Sequence, residues 1–232
     1  MQNTLSQNGI ENLYHTIPLH YLTFICRSGL LLSKERLIQQ GFDTMHFRST
    51  SKNADVKRGF DQVVHCTNNP FPPILISKLL KGYQHLEICI RTDVLSEDQF
   101  LLCKYNIAKN RGLYTESLST GWCYNGFKIP VTKTIDEKVA MLTSIDKIQH
   151  FEILVKDFLE IPDDAVFRFF SNQDFDIAVD IISKMNKAWP CKRIDHSYQY
   201  NVNNTRRNTV NEYLRHSFEN ADWRGNGLEY DR

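Results

Sequence analysis

Residues 151 to 156 alternate between apolar and polar positions, a pattern typical of a short, half-buried β-strand. Phe151, Ile153 and Val155 fall on one face of this predicted strand, and Glu152 falls on the other. A strand holds a carboxylate rigidly, and a catalytic carboxylate needs such a fixed position. The other interpretation of Glu152 is an ordinary glutamate that faces solvent.

A long polar and aromatic segment, residues 104 to 149, precedes this strand. Its pattern is too irregular to predict core structure, and only a helical turn within residues 136 to 149 is indicated. A loop of this length inside a domain is usually functional or mobile. The pattern therefore places Glu152 where a long loop leads the chain into a sheet.

The N-terminal part of the chain predicts a strand followed directly by a helix. Residues 13 to 16 form the predicted strand, which carries His15, and Pro18 is a residue type that often begins a helix. Apolar residues then recur at helical spacing as far as Gly29, which is suited to end the helix. The apolar residues 30 to 32 are expected to return to the core.

Strand alternation and helical spacing of apolar residues also predict the remaining strands and helices. Further strands are expected at residues 63–67, 85–90 and 165–170, and helices at 34–39, 74–80 and 175–185. A proline-rich break at 70–73 and a turn at 161–164 separate some of them. Residues 195–209 are polar and rich in asparagine, which predicts a domain boundary, and one last amphipathic helix follows around residues 210–218.

Composition and charge narrow the class of protein. The 232 residues include 41% hydrophobic residues, enough for one domain with a real core, and 28 basic residues against 27 acidic ones. This balance argues against a uniformly basic nucleic-acid binder but allows a local basic face. We find no signal peptide and no membrane-spanning apolar run, so we expect a soluble, cytoplasmic protein.

The six cysteines are scattered and include no C-x-x-C pair, which predicts free thiols in a reducing compartment. They and the histidines lack metal-ligand spacing, so we expect no metal site. The glycine motifs of Rossmann and P-loop nucleotide sites are absent, as is the G-x-S-x-G elbow of serine hydrolases.

Residues 104 to 133 combine five basic residues with interleaved aromatic ones and only one acid. Basic groups attract phosphates, and aromatic faces stack on bases. Lys109, Arg111, Trp122 and Tyr124 are our candidates for contact with a nucleic acid. The other interpretation is a solvated loop whose aromatic residues fold back as anchors. A second basic stretch, residues 184 to 215, is equally compatible with an ordinary solvated helix.

Several short motifs, taken in order, resemble the ADP-ribosyltransferase superfamily and more narrowly its DarT group, bacterial toxins that modify nucleic-acid bases. The resemblance lies in Leu-Tyr-His-Thr at 13–16, Ser-Gly-Leu-Leu at 28–31, Lys-Arg at 57–58, Phe-Pro-Pro-Ile-Leu at 71–75 and Phe-Glu-Ile-Leu-Val at 151–155. It covers residues 10 to 200 loosely. The family's motif around its central arginine is not clean, so Arg58, Lys57 and Arg48 compete for that role.

This resemblance implies an α+β fold with a split β-sheet core and flanking helices. The transferase domain would span residues 1–200, and residues 201–232 would form a polar, basic C-terminal extension with a short helix. NAD would be the co-substrate. Glu152 would act at the nicotinamide ribose, and Arg58 would hold the NAD pyrophosphate or assist the target base. His15, Thr16, Gly29 and Leu30 would bind the cofactor.

The implied target is a base of single-stranded DNA or RNA, because a paired base would first have to leave its helix. By resemblance we also expect a toxin–antitoxin or phage-defence setting and an antitoxin protein as partner. Two alternatives stay open: a transferase that modifies protein side chains, and a non-catalytic module that binds nucleic acid or a partner.

Overall fold

The computed structural model of the protein describes several stretches of the chain up to residue 194. These are residues 3–41, 60–72, 75, 78–79, 83–103, 122–124, 127–129, 131–145 and 151–194, and at 60, 122–124 and 127–129 only the backbone is described. The predicted domain boundary near residue 200 and the C-terminal extension 201–232 lie outside them.

The described residues form five α-helices and twelve strands. The helices are α1 (Thr4–Gln7), α2 (Leu22–Ser28), α3 (Lys34–Gln39), α4 (Ile135–Ser144) and α5 (Asn172–Lys184). The strands are β1 (Asn12–Pro18), β2 (Leu30–Leu32), β3 (Val63–Thr67), β4 (His85–Arg91), β5 (Phe100–Cys103), β6 (Trp122–Tyr124), β7 (Phe127–Ile129), β8 (Val131–Thr132), β9 (Glu152–Lys156), β10 (Phe158–Glu160), β11 (Val166–Phe169) and β12 (Cys191–Arg193).

Eight of these strands make one mixed sheet in the order β12-β11-β4-β1-β3-β9-β5-β8. Its strands pair antiparallel, except that β11 and β12 are parallel. Two small sheets, β10-β2 and β6-β7, lie outside it. The fold is α+β, as predicted. Over their described residues β1 and β3 pair at one position only, Tyr14 with Thr67, so the large sheet opens at its middle.

The two sides of the large sheet differ in chemistry. Residues directly opposite each other on antiparallel strands share a face, and so do residues two apart on one strand. The registers therefore place one polar set on the same side, which we call the polar face: Tyr14, Thr16, His65, Thr67, Glu87, Glu152 and Arg168. The other side, which we call the core face, carries fully buried apolar residues such as Ile88, Ile153 and Phe167.

Four helices supply apolar side chains to the main hydrophobic cluster, and Leu5 of α1 is one of these side chains. Leu22 of α2, Met141 of α4 and Ile182 of α5 are all buried in this cluster together with residues of the core face. The hydrophobic effect thus covers one side of the sheet, and the opposite side remains for polar groups.

Most of the predicted elements before residue 100 and after residue 150 are confirmed. The strands β1, β3, β4, β9 and β11 and the helices α2, α3 and α5 all lie where the periodicity predicts them. Residues 30–32, expected only to return to the core, form β2, on which Leu31 is buried. Gly29 ends α2 in the left-handed conformation, with φ of 68°, as a C-terminal cap does. The predicted helix at 74–80 lies mostly outside the described residues.

The prediction that residues 104–149 are too irregular for core structure is wrong in its second half. Residues 135–144 form the full helix α4, and Met141 and Leu142 on it are buried. The helix begins with a capping box between Thr134 and Glu137, a local signal that the hydrophobic pattern does not include. The short strands β5, β10 and β12 were not predicted either.

The predicted half-buried character of β9 is also wrong, because Leu154 on its supposedly polar side is fully buried. This strand lies inside the sheet, between β3 and β5, and is covered on both faces. The alternation pattern indicates which residues share a face of a strand, but it does not indicate whether other parts of the protein cover that face.

Two further observations concern the cysteines and the lengths of the helices. Cys26, Cys66, Cys89, Cys103 and Cys191 are free cysteines, and the side chain of Cys123 is not described. Within the part of the chain that the structure describes, no helix combines the length and the apolar character needed to cross a bilayer.

One buried hydrogen bond joins the end of β3 to the start of β9. Asn68, which is 7% exposed, accepts a hydrogen bond on its Oδ1 from the backbone N–H of Phe151, with 2.9 Å between nitrogen and oxygen. This bond fixes the chain immediately before Glu152. A buried N–H without an acceptor is costly, so the Asn68 side chain stabilises the entry into β9.

We predict that Asn68→Ala lowers the free energy of unfolding by about 1–3 kcal/mol, because the Phe151 N–H would then be buried without an acceptor. Urea unfolding followed by circular dichroism measures this loss. The matched control is Asn172→Ala, which removes only an exposed hydrogen bond to Arg193. Equal effects of the two substitutions would contradict the role of the buried bond.

Candidate functional site

Glu152 is the first residue of β9 and lies between two neighbouring strands. Its register partners are Thr67 on β3 and Cys103 on β5, and only 6% of the residue is exposed. The interpretation of Glu152 as a solvent-facing glutamate is therefore wrong. Because strands pair on both sides of its backbone, the carboxylate has a fixed position on the polar face.

His65 brings an imidazole next to this carboxylate. Its Nδ1 lies 3.7 Å from Oε2 of Glu152, and its side chain is 36% exposed where that of Glu152 is 8% exposed. The sequence prediction set His65 aside as a structural histidine without metal-ligand spacing. The signal that would have found it is the register between β3 and β9, which local patterns do not contain.

His15 lies on β1, where this strand separates from β3. Its Nδ1 is 2.7 Å from the backbone carbonyl oxygen of His65, so the ring reaches across the opening to β3. A carbonyl oxygen can only accept, and Nδ1 therefore carries the hydrogen. Burial lowers the pKa of His15 to about 4, which keeps the ring neutral at pH 7. Its Nε2 is then a hydrogen-bond acceptor.

Thr16 follows His15 and, by alternation, lies on the polar face opposite Glu87. Its Oγ1 is buried, and it has no hydrogen-bond partner among the described residues. Buried hydroxyl groups are usually paired, so such an oxygen is suited to a ligand. His15 and Thr16 thus approach the middle of the sheet from opposite sides of one strand.

A second acid on the polar face, Glu87, is fully buried and paired with Arg168. The Nη1 of Arg168 donates to Oε2 of Glu87 over 2.6 Å. Burial raises the pKa of Glu87 to about 7, although Arg168 and the backbone N–H of Phe71 act in the opposite direction. The sequence prediction missed this pair, because its members are 81 residues apart and meet only through the pairing of β4 with β11.

The same pair holds the turn that follows β3. Phe71 has φ of 59°, a conformation that bulky residues rarely adopt, and its backbone N–H donates to Oε1 of Glu87 over 2.8 Å. Its ring centroid lies 4.6 Å from the guanidinium carbon of Arg168, and the ring of Tyr14 lies 5.5 Å away from it. Backbone strain of this kind persists where surrounding contacts enforce it.

Gly29 and Leu30 lie at the end of α2 and the start of β2. No atom lies within 4 Å of the position that a Cβ of Gly29 would occupy, so the positive φ, and not crowding, favours glycine here. Leu30 pairs with Glu160 of β10 in the small sheet. Their predicted contact with a cofactor stays a prediction.

The other predicted site residues are not described to the level of side chains. Arg58 and its competitors Lys57 and Arg48 lie outside the described residues, as do Lys109 and Arg111. Trp122 and Tyr124 are on β6, which pairs antiparallel with β7, and only their backbone is described. Of the predicted set, the structure places Glu152 and Thr16 on the polar face and His15 on the opposite side of β1, from which its ring reaches the backbone of β3.

In the described part of the chain no group of three histidine, cysteine, aspartate or glutamate side chains is arranged to hold a metal ion. Burial raises the pKa of Tyr14 to about 12, so its phenol is neutral at pH 7. Burial, with the charge of Glu152 as a second cause, also raises the pKa of the Cys66 thiol. The phenol of Tyr14 on the polar face and the thiol of Cys66 on the core face are therefore neutral at pH 7.

This arrangement suits chemistry that needs a fixed negative charge beside hydrogen-bonding groups. A buried carboxylate stabilises a neighbouring positive charge more strongly than an exposed one, because less water screens it. The neutral His15 and the unpaired Thr16 hydroxyl are suited to bind the hydroxyl groups of a sugar.

No family model matches the sequence, and no curated protein does. Solved structures of similar fold do exist. DarTG of Thermosipho africanus in complex with ADP-ribose is 14% identical with a TM-score of 0.49, and the match covers 79% of this chain and 50% of that one. DarT of Thermus sp. 2.9 in complex with carba-NAD+ is 13% identical with a TM-score of 0.48, covering 81% of this chain and 97% of that one.

The same Thermus protein in complex with ADP-ribosylated single-stranded DNA is 12% identical with a TM-score of 0.46, covering 79% of this chain and 95% of that one. This chain therefore spans half the length of the Thermosipho protein and nearly all of the Thermus protein. These are the proteins that the sequence motifs resemble, and at such identities the likeness concerns the fold alone.

We predict that the stability of the protein depends on pH through Glu87. Its raised pKa means that the ionised form is less favourable in the folded chain than in the unfolded chain, where the pKa is near 4.5. The contribution of Glu87 to stability is therefore present below pH 4.5 and is lost as the pH rises through about 7. From pH 5 to pH 8 wild type should lose about 2–3 kcal/mol relative to Glu87→Gln, which cannot titrate.

Urea unfolding of both proteins at the two pH values measures this difference, and titration of all other groups cancels in it. A difference that stays constant with pH, or that changes with the opposite sign, would show that Arg168 keeps Glu87 ionised across this range.

Proposed function

We propose that this protein is an NAD-dependent ADP-ribosyltransferase that moves ADP-ribose from NAD to a base of single-stranded DNA. The observation that carries the proposal is the position of Glu152, a buried carboxylate on the polar face that is held from both sides of its strand. Its neighbour β3 is the strand to which the neutral His15 of β1 donates a hydrogen bond. The motif resemblance supplies the cofactor and the class of target. The proposal assigns to this chain the kinds of molecule that are bound in the Thermus DarT structures.

The residues around the opening of the sheet fit such a co-substrate. The Nε2 of neutral His15 accepts a hydrogen bond from a ribose hydroxyl, and the unpaired Oγ1 of Thr16 has a polar group of the ligand as its partner. Gly29 and Leu30 contribute backbone at the end of α2, and Arg58 contacts the pyrophosphate or the target base, as the resemblance implies.

The proposed reaction exchanges one bond at the ribose carbon C1′ for another. The bond from C1′ to nicotinamide breaks, and nicotinamide leaves with the electron pair. A nitrogen of the target base then forms the new bond with its lone pair, and it loses a proton. Glu152 stabilises the positive charge that develops on the ribose, holds a ribose hydroxyl and accepts that proton.

The target contacts extend beyond the described residues. Lys109 and Arg111 attract the phosphates of a single strand, and Trp122 and Tyr124 stack on its bases, in this proposal. A single strand is favoured because its bases are already free of a partner. RNA and protein side chains are the competing targets.

We predict that Glu152→Gln abolishes the transfer, with a loss in kcat of roughly 100-fold or more, because the amide has no charge to stabilise the ribose. The measurement is the transfer of label from NAD to single-stranded DNA oligonucleotides, to total RNA and to cell protein, in separate incubations. The matched control is Glu160→Gln, the same change at an exposed position of β10.

Label on DNA with wild type and with Glu160→Gln, but not with Glu152→Gln, supports the proposal. Label that survives nuclease and is lost with protease would identify a protein target instead. No label on any target and no consumption of NAD would favour a non-catalytic binding module.

We also propose that the protein acts as a toxin and that an antitoxin protein neutralises it. Both parts of this proposal come from the family resemblance. Expression in bacteria tests the first: growth should stop with wild type and continue with Glu152→Gln. Affinity purification of Glu152→Gln from its native host tests the second, since a neutralising partner should copurify with it. Normal growth with active wild-type protein would count against a toxin.

A further inference from the structure

His65 lies next to two of the predicted site residues: its ring is close to Glu152, and its backbone binds His15. Its ring Nδ1 lies 3.7 Å from Oε2 of Glu152. Its backbone carbonyl accepts the hydrogen bond from His15 over 2.7 Å. One residue of β3 therefore sets the separation between the histidine of β1 and the carboxylate of β9.

The position of His65 suits contact with one oxygen of the carboxylate. The distance of 3.7 Å is within the range of an ion pair but longer than a hydrogen bond, so a small movement of either side chain completes a hydrogen bond. Directly opposite the His65 ring on β9 is the apolar Leu154, and Glu152 follows two residues away on the same face of that strand.

We propose that His65 is a positioning residue for Glu152, an inference that rests on the proposed function. Its Nδ1–H donates to Oε2 and holds the carboxylate in one orientation toward the ribose. His65 itself does not contact the reacting atoms. A carboxylate free to rotate would present the correct oxygen for only part of the time, and fixed geometry is what raises kcat.

Because His65 makes these two contacts with different parts of the residue, its substitution should affect kcat and the KM for NAD differently. Every substitution keeps the backbone carbonyl, so the contact to His15 and the binding of NAD should persist. Only the contact to Glu152 depends on the side chain. A change at position 65 should therefore alter kcat and leave the KM for NAD nearly unchanged.

The test compares two substitutions in the full-length protein. His65→Leu removes the donor and keeps a side chain of similar size, and we expect kcat to fall by about 10- to 100-fold with less than a threefold change in the KM for NAD, as for the loss of a hydrogen bond to a charged group. His65→Asn places an amide nitrogen near the position of Nδ1, and we expect it to restore most of the lost kcat. Thermal unfolding establishes that both variants are folded.

His20→Leu is the matched control, because His20 is an exposed histidine beyond the end of β1. It should leave kcat unchanged. Wild-type kcat in His65→Leu, a rise in KM without a fall in kcat, or no recovery in a folded His65→Asn would each overturn the positioning role.

These outcomes are distinguishable from a failure of the proposed function. If Glu152→Gln is inactive while His65→Leu is fully active, only the role of His65 is overturned. If wild type consumes no NAD, or if Glu152→Gln keeps full activity, the proposed function fails and the inference about His65 fails with it.

Discussion

The pairing of β9 with β3 on one side and β5 on the other is the interaction on which the site depends. It fixes the backbone of Glu152 against Thr67 and Cys103, and the Asn68 side chain holds the residue just before it. Hydrogen bonds on both edges of a strand leave its side chains little freedom of direction. A buried carboxylate is costly, and a protein retains one where a function or a fixed partner compensates for it.

The opening between β1 and β3 is the second constraint. Where two strands stop pairing, backbone groups lose their ladder partners, and the His15 ring satisfies one of them, the carbonyl of His65. Burial lowers the pKa of His15 to about 4 and keeps its ring neutral, although the bond to the His65 carbonyl acts in the opposite direction. Because Nδ1 donates this bond, Nε2 is an acceptor. The opening is thus lined by groups with defined hydrogen-bonding roles. A small number of polar groups with fixed hydrogen-bonding roles is typical of a binding site.

Much of the local structure was predictable, because it depends on short-range patterns. Strand alternation identified β1 and β9 with His15 and Glu152, and the αL position after α2 required the glycine at 29. Helix α4 was predictable in principle from its capping box, Thr134 to Glu137, but its apolar spacing is weak. The contacts of His65 and the pairing of Glu87 with Arg168 were not predictable, because each depends on the register of distant strands.

The sequence by itself determined most of the strands and helices before residue 100 and after residue 150, and it singled out Glu152 and His15 through motifs that resemble one family. Only the tertiary structure decided that Glu152 is buried, that His65 lies beside it and that Arg168 pairs with Glu87 and contacts the ring of Phe71. The physical reason is that alternation is a property of one strand. Register and burial are properties of several strands that meet from distant parts of the chain, and a shift of one residue in any of them would exchange the two faces.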